Sequence, residues 1–75
     1  MNKRWTLIIA RGDKDQSEIA KSCGVSQQTY SSWERGKSIP SIPKMLVLER
    51  ILGKPKEELF ADVFNMEQSA TSEVI

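Results

Sequence analysis

Gln27 and Gln28 stand side by side within QSEIAKSCGVSQQTYSSWERGK, residues 16–37, and Ser32 follows one helical turn after Gln28. A glutamine amide donates and accepts at once, so it matches the N7 acceptor and N6 donor of adenine without needing charge. On a helix starting near Ser26, the residues Gln27, Gln28 and Ser32 point outward as a face of amides and hydroxyls rather than solvating charge. Such a face can read base edges. Thr29 can offer a methyl to thymine or a hydroxyl to phosphate, and the sequence leaves both open. Arg35, Lys37 and Ser38 border the loop after this helix, where exposed NH groups and positive charge can grip a sugar-phosphate chain. Ser31 faces the crowded side less clearly than Ser32 and is a secondary contact, to phosphate.

Other chemistries are poorly provided for. The chain has no histidine and one cysteine, so it lacks the parts of a cysteine- or histidine-based zinc site and of an internal disulfide. No nucleophile is paired with a base, and no glycine loop could cradle a phosphate, so no enzyme, cofactor or small-molecule ligand is expected. Cys23 reads as a small buried hydrophobe. Lys3 and Arg4 before the apolar run Trp5 to Ala10 faintly resemble a signal peptide, but six apolar residues are too few for one or for a membrane span. A cytoplasmic protein is expected.

The net charge of +1 conceals an asymmetry. All eleven Lys and Arg lie at or before Lys56, against five acids there, while five acids and no base follow from Glu57 onward. A basic body with an acidic end suits a nucleic-acid surface and a back face turned from phosphate.

These side chains need short helices to position them. Seventy-five residues make one small domain, and no alternating strand pattern interrupts the helical signals, which run to about residue 65. An all-α domain over residues 1–65 is expected, with residues 66–75 a disordered acidic tail. Trp5, Ile8 and Ile9 form the predicted inner face of a first helix over roughly residues 3–11, closed by Gly12 and Asp13. Asp15 with Glu18 resembles a capping box for a second helix reaching Cys23. Ile19, Ala20 and Cys23 face inward, and Gly24 supplies the positive φ for a tight corner. Ser26 caps the third helix, which runs to Arg35 and stops at Gly36, with Val25, Tyr30 and Trp33 closing the core. Ser41 caps a fourth helix with Met45, Leu48, Ile51 and Leu52 inside, ended by Gly53. Pro55 opens a fifth with Leu59, Phe60, Val63 and Phe64 inside.

With Gln16, Ala20, Gly24, Val25, Trp33, Glu34, Gly36 and Pro40 so placed, the chain resembles the Cro/CI-type, or XRE, helix-turn-helix family over about residues 5 to 60. The resemblance implies a compact five-helix, lambda-repressor-like domain whose third helix lies in the major groove of double-stranded DNA. Ala20 and Gly24 form its structural turn, Gln16 contacts phosphate and braces the third helix, and Ser26 joins the phosphate contacts. Paired glutamines like Gln27 and Gln28 also occur in lambdoid phage repressors. The expected function is sequence-specific transcriptional regulation, repression by covering a promoter, with a phage or mobile-element origin. A palindromic operator bound by a homodimer follows, with Val63 and Phe64 as the C2 contact; a free monomer that pairs only on DNA fits equally. The alternative is a protein-interaction module that keeps the fold but reads no DNA.

Three positions depart from the family pattern. Ile9 stands where an arginine usually pairs with the glutamate matching Glu34, which leaves Arg11 or Arg35 as its partner. Lys14 replaces a buried leucine, and Glu49 replaces a small apolar residue.

Overall fold

A computed structural model describes residues 3–64. The chain order is α1 (Trp5–Arg11), α2 (Gln16–Cys23), α3 (Gln27–Glu34), α4 (Ile42–Leu52) and α5 (Lys56–Leu59). A further helical stretch, 61–64, runs to the edge of the described residues. Among those residues there is no strand, and the all-α expectation holds. The expected tail, 66–75, lies outside them.

α2 and α3 cross as the sequence predicts. Gly24 adopts φ 74, ψ 29, and its N–H closes α2 on the carbonyls of Ala20 and Lys21. A Cβ at this position would meet nothing closer than 3.8 Å, so the glycine answers a backbone requirement and not a shortage of space. Ala20, 1% exposed, lets the two helices approach. The Ser26 hydroxyl accepts from the Thr29 amide at 3.1 Å and so satisfies one free donor at the start of α3. α3 ends at Glu34, with Arg35 as its C-cap and Gly36 at φ 75.

Leu7, Ile19, Ala20, Cys23, Tyr30, Trp33, Met45, Leu48, Leu59 and Phe60 form the core. Tyr30 and Trp33 meet edge to face, with centroids 5.7 Å apart, so both aromatics serve packing. Val25, Ile51, Leu52, Val63 and Phe64 pack half-buried around them.

The face of α1 is not the predicted one. Trp5 is 57% exposed and Ile9 73%, Ile8 is half-buried, and Leu7 is the apolar residue that enters the core. The inner stripe is Arg4, Leu7 and Arg11, spaced three and four residues apart on one side of the helix. Two of its three members are charged and bonded inside the protein, so apolar periodicity points to the wrong side. α1 also starts at Trp5 rather than Lys3.

The caps bring smaller corrections. Asp15 holds the N-cap position of α2 without bonding the helix, and the residue is exposed to solvent. Ser41 likewise caps α4 by position alone. Pro55 is the N-cap of α5 instead of its first residue, and proline brings no capping side chain. Glu49 fills that role: its Oε2 accepts from the Lys56 amide at 2.7 Å. The polar residue at an expected apolar position thus joins α4 to α5.

Candidate nucleic-acid interface

The outward face of α3 carries Gln27, Gln28 and Thr29 exposed, with Ser31 and Ser32 half-buried at its margins. Gln28 makes no side-chain hydrogen bond among the described residues, so both halves of its amide are available. Gln27 is partly engaged: its Nε2 donates to Gln16 Oε1 at 3.4 Å. Gln16 Nε2 donates in turn to Glu34 Oε1 at 2.8 Å. Glu34 is 3% exposed and receives Arg11 through Nε at 2.6 Å and Nη2 at 3.3 Å. A relay therefore runs from a buried ion pair to the first turn of α3.

This relay identifies the partner of Glu34. Arg11, two residues beyond Ile9, supplies the cation, while Arg35 stays exposed and donates weakly to its own helix at Ser31 O, 3.4 Å. Lys14 is exposed, and its carbonyl accepts Arg11 Nη1 at 2.8 Å. The loop before α2 thus serves to hold the arginine. The Tyr30 hydroxyl is buried beside this pair and, among the described residues, meets no partner in hydrogen-bond geometry. Burial, and then the neighbouring Glu34 carboxylate, push its pKa well above the usual tyrosine value.

A serine and threonine chain lies along the rim. Ser26 Oγ donates to Thr29 Oγ1 at 3.0 Å, so Thr29 keeps its own hydroxyl proton free to donate outward. Ser32 Oγ donates to Thr29 O at 2.7 Å and lies 2.6 Å from Ser38 Oγ. Each hydroxyl has one proton, so Ser38 donates to Ser32, and both then present lone pairs outward. Lone pairs suit base amino groups better than phosphate oxygens.

The loop that carries Lys37 and Ser38 is anchored by a residue that the sequence reading missed. Arg4, 4% exposed, donates through Nη1 to Trp33 O and to Ser38 O, the latter at 3.1 Å. Its Nε and Nη2 grip the two Asp62 oxygens at 3.0 Å each, and its guanidinium lies over the Phe60 ring at 5.1 Å. The hydrogen-bonded guanidinium holds the Asp62 carboxyl below its ordinary pKa. The only available sequence signal was a cation three residues before Leu7.

Lys37 and Arg35 are exposed beside this loop, and Val63 shares a groove with Lys37, Ser38 and Ile39. Phe64 packs half-buried against the core, apart from that groove. Among the described residues no helix is long and apolar enough to cross a membrane, and no His, Cys, Asp and Glu cluster could hold a metal ion.

Two helices crossing at a left-handed glycine, the second with its amide-bearing face open and its rear locked to a buried carboxylate, define a helix-turn-helix DNA-binding domain. A helix-turn-helix family model matches residues 9–59. The chain belongs to that family, the Cro/CI-type or XRE group of DNA-binding regulators. No curated protein and no solved structure matches it. Arg4 and Asp62 both fall outside the matched span, so their bond lies beyond what the family pattern describes.

Proposed function

We propose that this protein is a sequence-specific transcriptional repressor, of phage or mobile-element origin, that acts in the cytoplasm by covering a promoter. α3 enters the major groove of double-stranded DNA, where Gln27, Gln28 and Ser32 read base edges and the free Thr29 hydroxyl donates to a base or phosphate oxygen. Gln16, Arg35 and Lys37, with Ser31 at the margin, set position and affinity on the backbone, and Ser26 and Ser38, whose hydroxyl protons are engaged, join them through their main-chain N–H groups. The observation that carries this reading is the exposed Gln27–Gln28 pair on a helix whose Gln16 brace is fixed by buried Glu34. An amide held in place from behind loses little freedom on meeting a base.

One recognition helix spans few base pairs, so the operator is a palindrome bound by a homodimer. Val63 and Phe64 provide its C2 contact. Val63→Glu then weakens pairing on DNA, and an unchanged stoichiometry by sedimentation would remove this contact from the proposal.

Selection from random duplex DNA at fixed salt tests the whole reading, and an enriched palindrome is the expected result. Salt-sensitive binding without enrichment would leave only a nonspecific binder. On the selected duplex, Gln28→Ala relaxes preference at one position by about 1–3 kcal/mol. Lys37→Ala instead weakens binding on every sequence and lowers the salt dependence by about one phosphate. Equal effects of both substitutions on selected and random DNA would overturn this division of labour.

A further inference from the structure

Trp5 and Lys3 lie outside every role assigned so far. Trp5 is 57% exposed, a large apolar surface to leave in water, and the Lys3 ammonium sits over its ring at 5.5 Å. Both line a cleft of about 250 Å³ whose other walls are Ile8, Arg11, Gln16, Ser31, Glu34 and Arg35. This cleft adjoins the DNA-reading surface: Gln16 is the residue that braces Gln27, and Ser31 lies one turn from Gln27 on the same side of α3. Of its cations, Arg11 is neutralised by Glu34, whereas Lys3 and Arg35 have no carboxylate partner among the described residues.

We propose that this cleft receives the sugar-phosphate backbone of the DNA flanking the site read by α3, with Lys3 on a phosphate and the Trp5 ring against the adjoining deoxyribose. This inference rests on the DNA-binding reading and extends it to residues before the family match. The occupant follows from charge and continuity. Two unpaired cations at the lips call for an anion, and the neighbouring wall, Gln16, stands at the start of α2, beside the surface where the proposed reading already places a backbone contact. The exposed indole face supplies apolar cover for a sugar, which a free inorganic anion would not use.

The test uses the full chain and a selected duplex trimmed stepwise from its ends. Wild-type protein loses affinity when the flanking base pairs are removed, and its salt slope falls by about one phosphate, close to 0.9. Lys3→Ala shows the lower slope already on the long duplex, and Trp5→Ala loses the flank preference; both equal wild type on the trimmed duplex. Saturating long duplex also protects Trp5 from acrylamide quenching, against the constant background of buried Trp33. Wild-type affinity that is indifferent to trimming, or quenching unchanged when DNA is bound, overturns the inference and leaves the DNA-binding reading intact. Failure to bind any duplex removes both.

Discussion

At its amino end α3 is held by one serine hydroxyl and one long amide contact, all near the surface. At its carboxyl end two arginines from the start and end of α1 reach inside, Arg4 to the Trp33 carbonyl and Arg11 to Glu34. Neutral surface bonds are individually weak and exchange with water, while buried charge-assisted bonds are costly to break. The difference is suited to reading DNA. The carboxyl end fixes the angle at which the helix projects, and the amino end, where the proposed reading places the bases, is held by fewer and weaker bonds. Gln16 joins the two regimes, with its Nε2 on the buried carboxylate and its Oε1 on Gln27.

The contrast can be broken most severely at Arg4. Arg4→Ala strands the Trp33 and Ser38 carbonyls and frees Asp62, so chemical denaturation is expected to show a loss of about 3 kcal/mol. Asp62 is half in solvent and adds little by itself. Its lowered pKa means that the unfolded chain binds more protons in acid. That stabilisation is complete above the ordinary Asp pKa and fades as pH falls through the lower folded value. A shallower acid limb in Asp62→Asn checks the sign. Glu34→Gln comes next, at about 2–3 kcal/mol, because it leaves the Arg11 guanidinium half-buried without its counter-charge. It also exchanges the charged acceptor of Gln16 for a neutral amide oxygen, so under the proposed reading selectivity at Gln27 should fall along with stability.

What the sequence made legible divides along the same line. The α2–α3 corner could be read from Ala20, Gly24 and Ser26 because each answers a local backbone demand, a close approach, a positive φ or a free N–H. The placement of α1 could not, since its inner stripe is made of Arg4 and Arg11 and their partners lie 58 and 23 residues away. Long-range ionic bonds leave no periodic trace, so the apolar Trp5 and Ile9 drew the helix face to the wrong side. Glu49 was an anomaly in sequence for a related reason: its use as a cap for α5 exists only once the turn at Gly53 has brought the Lys56 N–H beside it. The direction of each hydroxyl proton along Ser26, Thr29, Ser32 and Ser38 also depends on folded geometry, and it separates the outward donor Thr29 from the outward acceptors.

Ser26→Ala probes the weak end. It removes the cap from the Thr29 amide at an exposed site, for which a cost of about 1 kcal/mol is expected. A loss as large as that of Arg4→Ala would erase the difference between the two ends of the helix.

Tyr30→Phe is the smallest and the finest test, because it asks whether the buried carboxyl end is fully satisfied. The Tyr30 ring is wholly buried, and its hydroxyl, close to Glu34 and Arg11, meets no partner in hydrogen-bond geometry among the described residues. Deleting an unpartnered hydroxyl removes desolvation without removing a bond, so stability should hold or rise by up to about 1 kcal/mol. A clear loss would mean that the hydroxyl donates to Glu34 and belongs to the relay. The alkaline limb supplies the second readout. The folded pKa lies above the ordinary 10.0, so the unfolded chain gives up this proton first. Native stability is therefore intact below that value and declines as pH rises beyond it, and Tyr30→Phe should flatten the decline.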